Sequence, residues 1–198
     1  MDVSPNSMTH SKNEITDTAL ILRCNEGDQQ AFGILVERHQ STAFRFAFRL
    51  SCETMGAEDL CQKAFLRLWN YRDRIKPDSK LTTLLYTIIS RLWIDSSRSQ
   101  KQRFFNRQTD VLHDRIISDD ASPETLSINQ DLVERIKRLC KKLPARQRLV
   151  FTLRDLEDLS INEVVQITGI SRGGVKTNLS IARRKIREKL LAITGIES

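Results

Sequence analysis

A chain of 198 residues and 22.9 kDa, 39% hydrophobic and 29% charged, has room for one medium or two small globular domains and the balance of a soluble protein. Its formal net charge of +7 and pI near 9.5 favour a polyanionic partner. No run approaches the roughly 20 apolar residues of a membrane span, and residues 1–16 lack the basic start and apolar stretch of a secretory leader, so the chain reads as cytoplasmic.

In chain order, Asp17 can cap a short helix through Glu26, ended by Gly27. Asp28 can cap the next, in which Phe32, Leu35, Val36, His39, Ala43 and Phe46 keep a helical period. His39, on that apolar side with no second ligand near it, reads as a half-buried core histidine. After a break at Cys52 to Gly56, AEDLCQKAFLRLWNYRDRI reads as a third helix, with Ala57, Glu58 and Asp59 in its first turn, where acids suit the helix dipole. Leu60, Ala64 and Leu68 share one line, and Cys61, Phe65 and Trp69 lie beside it. So wide an apolar face either buries against two neighbours or is in part a docking surface, and composition leaves both open.

Lys76-Pro77-Asp78-Ser79 is a turn signature, since Pro fixes the backbone while Asp and Ser bond back to it. A fourth helix is expected from about Leu81 to Ser97, with Leu81, Leu85, Ile88 and Leu92 as its core line and Leu84 and Ile89 adjoining. Tyr86, Arg91 and Trp93 fall on other faces, and Arg98, Lys101, Arg103 and Arg107 trail behind. Aromatic groups beside cations suit single-stranded nucleic acid, although aromatic residues on a helix are more often core.

From Phe104 to Ser127 the acids Asp110, Asp114, Asp119, Asp120 and Glu124 outnumber Arg107 and Arg115, which predicts a flexible acidic linker. Beyond it Ile128, Leu132, Ile136, Leu139 and Leu143 form one helical stripe and Leu149, Val150, Leu153 and Leu156 another, separated at Pro144. Ser160 followed by Glu163 is a capping box that starts a helix at about Ile161; Gly169 suits a left-handed stop, and Ser171 caps a last helix. In that helix Val175, Leu179, Ala182, Ile186 and Leu190 gather on one buried stripe. Arg172, Lys176, Arg183, Arg184, Lys185, Arg187 and Lys189 oppose the single acid Glu188, a net +6. Short helix, glycine turn and basic helix make a helix-turn-helix, whose second helix enters the major groove while its cations reach phosphates.

The expected fold is all-α: a four-helix module at 17–103, the linker at 104–127 and a helix-turn-helix module at 128–191, after a disordered tail at 1–16. Cys24, Cys52, Cys61 and Cys140 lie far apart with no CxxC pair, which predicts buried, reduced thiols. No catalytic set, metal-ligand cluster or cofactor motif presents itself.

This order of modules resembles bacterial sigma factors of the extracytoplasmic-function group, over about Asp17 to Leu191. AEDLCQKAFLRLW looks like the family segment that docks on the beta-prime clamp helices of core RNA polymerase, LLYTIISRLWIDSSRS like the helix that opens and reads the minus ten element, and LPARQRLVFTLRDLEDLSINEVVQITGISRGGVKTNLSIARRKIREKL like the domain that reads the minus thirty-five element. The resemblance implies sigma region 2-like and region 4-like modules, a role in promoter-specific initiation and no enzymatic activity. It places Asp59, Leu60, Gln62, Lys63, Phe65 and Trp69 on polymerase. It places Lys76, Asp78, Ser79, Lys80, Tyr86, Arg91 and Arg98 on minus ten DNA, and Arg172, Lys176, Thr177, Ser180, Arg183 and Arg184 on minus thirty-five DNA. The partners implied are core RNA polymerase, including its beta flap, promoter DNA, and an anti-sigma factor of the often membrane-bound kind; no small-molecule substrate is implied. A stand-alone helix-turn-helix regulator and a sigma mimic that titrates an anti-sigma factor are the alternatives. Three residues depart from the family pattern: Lys63 where Glu is usual, Leu84 where Trp is common, and Gly174 where Thr is usual, the last costing about 0.5–1 kcal/mol of helix stability.

Overall fold

The computed structural model describes residues 15–107 and 139–194. The expected tail through Glu14, most of the acidic linker, and Ile128, Leu132 and Ile136 of the expected helix lie outside the described residues. Every described element is helical.

The first module is built from α1 (Asp17–Asn25), α2 (Gln29–Ser51), α3 (Thr54–Asn70) and α4 (Leu81–Arg107), with a 3-10 turn at Arg72–Arg74. Asp28 caps α2, its carboxylate accepting from the Gln30 and Ala31 amides. The cap of α1 is Thr16, one residue earlier than expected. Asp17 is thereby free to pair with Arg38 at 2.9 Å and with His39 Nε2 at 2.6 Å. His39 is thus partly buried as expected, and it fastens α1 to α2.

The third helix starts three residues before Ala57, because Gly56 is not a break. A Cβ at Gly56 would stand 2.9 Å from Glu53 Oε1 and 3.0 Å from Ser51 Cβ, so glycine lets the chain double back tightly between helices. That helix ends at Asn70, short of the expected Ile75. Along α3, Leu60, Ala64 and Leu68 are buried as predicted. On α4 the buried line runs Leu81, Leu85, Ile89 and Leu92, with Tyr86 and Ser90 beside it, and Ile88 is only partly covered. The helix continues to Arg107 rather than stopping near Ser97, since no breaker intervenes.

The second module comprises a helical end at 139–141, α5 (Ala145–Phe151), a π turn at Thr152–Leu156, α6 (Ile161–Thr168) and α7 (Arg172–Thr194). The expected single helix through Leu156 is therefore interrupted: the Glu157 amide donates to the Thr152 carbonyl, a five-residue span that widens the last turn. The Ser160–Glu163 capping box is present, and Gly169 adopts φ +68 as its stop. Ser171 Oγ accepts from the Gly174 amide, which caps α7.

The core is continuous. Phe46, Leu50, Leu85 and Ile89 of the first module share one apolar cluster with Leu149, Val150, Leu153, Val164 and Ile167 of the second. Each such side chain contributes about 1.5–3 kcal/mol on burial. A smaller cluster joins Leu139, Cys140 and Leu143 to Ala182 and Ile186 of α7, with Cys52 packed against it. Burial pushes the thiols of Cys61 and Cys140 up to about 11. No described helix is long and apolar enough to cross a membrane.

Candidate nucleic-acid interface and partner groove

Two surfaces stand out, one on each module. On the first, α2 and α3 pack along their length and leave an open apolar groove with two adjoining hollows. One, of about 530 Å³, is lined by Val36, Phe44, Arg45, Glu58, Cys61 and Phe65. The other, of about 470 Å³, is lined by Phe32, Val36, Gln62, Phe65, Leu66 and Trp69. Phe32 and Trp69 fix its end with ring centroids 5.0 Å apart, and the Arg72 guanidinium lies 4.3 Å over the Trp69 ring. Leu66, 57% exposed, stands on the rim.

The residues expected on polymerase divide in this light. Gln62, Phe65 and Trp69 line the groove, Asp59 and Lys63 stand exposed on the same helix, and Leu60 is buried in the core at 5% exposure. Lys63 donates to Asp59 one helical turn away at 2.7 Å, so the reversed charge at this position is neutralised by its neighbour. Sequence reasoning passed over Phe32, Val36 and Phe44 as groove residues and gave the first two to the core. Their spacing of four and eight was the available signal, since it puts all three on one line of α2.

Lys76, Asp78 and Lys80 are exposed in the turn before α4, which is closed by the Ser79 amide on the Lys76 carbonyl at 3.0 Å. Arg91 and Arg98 are also exposed. Tyr86 is not: it is 5% exposed, its ring centroid is 4.3 Å from that of Phe46, and its hydroxyl donates to Glu157 at 2.6 Å. Burial and that carboxylate raise its pKa above the ordinary value of 10.0.

On the second module, α7 buries Val175, Leu179, Ala182 and Ile186 and turns Arg172, Lys176, Thr177, Ser180, Arg183 and Arg184 to solvent. The helix is held from behind by apolar packing, which leaves the polar face free to meet a duplex. Arg183 is engaged within the chain by Asp155, with Nε and Nη2 donating at 2.8 and 2.6 Å. Gly174 has a local cause, because a Cβ there would stand 2.8 Å from Ile170 Cγ2. Among the described residues no group of three or more His, Cys, Asp or Glu is placed to hold a metal ion.

A helical protein with a basic helix-turn-helix on one module and an apolar groove on the other carries one surface suited to DNA and another suited to a second protein. Residues 35–103 match the family model for Sigma-70 region 2, and residues 134–186 that for Sigma-70, region 4. The ECF RNA polymerase sigma factor SigW of Bacillus subtilis is 28% identical over 176 residues, covering 86% of this chain and 94% of SigW. The ECF RNA polymerase sigma-E factor of Escherichia coli is 27% identical over 183 residues, covering 89% and 95%. Two solved structures share the fold. CnrH, in complex with the cytosolic domain of CnrY, has TM-score 0.60 and 23% identity, covering 89% of this chain and 97% of CnrH. The sigma factor RpoE of Bartonella quintana, in complex with the anti-sigma factor NepR, has TM-score 0.61 and 23% identity, covering 80% and 96%. The chain belongs to the sigma-70 family, in its extracytoplasmic-function group.

Proposed function

We propose that the chain binds core RNA polymerase through the groove of α2 and α3 and directs it to promoters read by two elements, one through α4 and the turn before it, the other through α7. The observation that carries this reading is the division of labour between two unlike surfaces, an apolar groove and a cationic helix face, on modules that match regions 2 and 4 in order. Phe32, Phe65, Leu66 and Trp69 supply apolar area for a protein partner. Lys176, Thr177, Ser180 and Arg184 meet the upstream duplex, with Arg172 and Arg183 on phosphates. Lys76, Asp78, Ser79 and Lys80 form the loop that receives a flipped base, whose unstacking costs a few kcal/mol that the polymerase complex helps to supply. Catalysis belongs to the polymerase.

An anti-sigma partner is part of the proposal. Both similar solved structures hold a second protein, named an anti-sigma factor in one of them, and the exposed groove is a surface that such a partner would cover. Run-off transcription with purified core polymerase, with and without the chain, across genomic promoter fragments tests the whole. New start sites that depend on the chain are expected. Duplex binding by the chain alone with no new starts would replace the proposal with a stand-alone regulator.

A further inference from the structure

Glu157, at the exit of the π turn, is where the second module grips the first. Arg49 of α2 donates from one guanidinium nitrogen to Glu157 Oε1 and to the Leu156 carbonyl, each at 2.6 Å. Tyr86 of α4 donates its hydroxyl to Glu157 Oε2 at 2.6 Å. Each carboxylate oxygen thus has its own donor, and the Glu157 side chain is only 13% exposed. Nearby, Arg148 of α5 donates to the Leu50 carbonyl at 2.6 Å and sets its guanidinium 5.1 Å from the Trp93 ring of α4.

One feature distinguishes this seam from a permanent core: the grip is local, its charged hydrogen bonds converging on one carboxylate beside Asp158, which lies in the left-handed region at φ +52.

A guanidinium and a phenol hydroxyl converging on two anionic oxygens form a donor set for a phosphodiester as well as for a carboxylate. We propose that Glu157 is an internal phosphate mimic. In the free chain it fills an anion site made by Arg49 and Tyr86 and holds the second module over the inner face of the first; when the modules part, the site takes a backbone phosphate of single-stranded promoter DNA. This rests on the promoter-reading function and adds regulation to it: the free chain is self-masked, and whatever holds the modules apart exposes the site.

The test uses the full chain in a Trp69→Phe background, which leaves Trp93 as the sole tryptophan of the two and as a reporter of the seam. Glu157→Lys should shift Trp93 emission to the red, raise its quenching by acrylamide and enlarge the radius of gyration in small-angle scattering, with helicity unchanged by circular dichroism. Restoring the pair with Glu157→Arg and Arg49→Glu together should return the emission toward that of the parent. Binding of a short fluorescein-labelled single strand should tighten by on the order of tenfold in Glu157→Lys. Asp158→Lys is the charge-matched control, its side chain being 99% exposed, and should give much less. Adding Tyr86→Phe to Glu157→Lys should abolish most of the gain. An emission and radius unchanged by Glu157→Lys would overturn the latch. Opening with a strand affinity no better than that of Asp158→Lys would overturn the phosphate site. Run-off transcription by the unsubstituted chain reports separately on promoter reading: failure there removes the promoter strand as the ligand, whereas the latch stands or falls on the free chain's emission.

Discussion

Under the proposed function, the groove of α2 and α3 and the outward face of α7 would achieve recognition by opposite means. The groove offers hollows lined mainly by aromatic and aliphatic groups, with Arg45 and Glu58 in one of them, and the exposed Asp59 and Lys63 of the same helix pair with each other. The α7 face offers small polar groups among cations, with Val175, Leu179, Ala182 and Ile186 turned inward behind it. The first derives its free energy from apolar area removed from water and should respond little to salt; the second derives it from counterion release and should respond steeply. The difference teaches that one chain can be tuned for two partners independently, because the side chains that serve one have almost no bearing on the other.

Trp69→Ala tests that independence with the largest expected effect. Truncating a tryptophan that anchors an interface costs about 2–4 kcal/mol, so affinity for core polymerase should fall by about 30-fold or more in a fluorescence titration while duplex binding is unchanged. A parallel loss of duplex binding would merge the two surfaces. Next, Lys176→Ala or Arg184→Ala should lower promoter use about tenfold at fixed polymerase affinity, and Arg172→Ala, which gives up a phosphate contact, should reduce the log-log salt slope by about 0.9. A flat salt response in the unsubstituted chain would contradict phosphate anchoring. Ser160→Ala removes one side of the capping box and should lower stability by about 1 kcal/mol, read as a fall in Tm, with the groove's partner binding intact.

Acid should act on stability through the same kind of local bond. Side-chain and backbone hydrogen bonds with Ser160 hold Glu163 below its ordinary 4.5. The Ala31 amide, with Arg23, holds Asp28 below 3.8. Burial alone would raise Asp17, but bonds from His39 and Arg38 outweigh it and leave the carboxyl lowered. The unfolded chain therefore binds more protons in this range, so the stability these groups give is present above the ordinary values and is lost as pH falls through the lowered ones. Tm should decline on acidification below about pH 4.5, and Glu163→Gln should flatten part of that decline. The smallest effect is expected for Lys63→Ala. An exposed pair contributes about 0–1 kcal/mol, so affinity for core polymerase should stay within about threefold; a larger change would give the reversed charge a direct role on the groove's rim.

Much of the second module was legible because its signals are local. The Ser160 cap, the Gly169 stop and the Val175 to Ile186 stripe each depend on residues a few positions apart, and the backbone obeys them wherever the module sits. Gly56 misled for a physical reason: its lack of a side chain serves a close approach to Ser51 rather than a break. The burial of Tyr86 was beyond sequence reasoning, because its acceptor lies 71 residues away and Arg49 lies 108 residues from the same carboxylate. No periodicity encodes such a pairing. The groove fell between these cases, since its α3 wall was visible as an apolar face while its α2 wall looked like ordinary core.

The π turn at Thr152–Leu156 holds one residue more than a regular α-helical turn would. Each residue advances a helix by about 100 degrees, so removing one there would rotate everything downstream by more than a quarter turn relative to α5. Asp155 and Glu157, two positions apart, now aim at Arg183 on α7 and at Arg49 on α2. A single-residue deletion in this short segment would break both aims without touching either arginine. The segment therefore acts as a measured spacer, far less tolerant of a change in length than of a change in the identity of an exposed side chain.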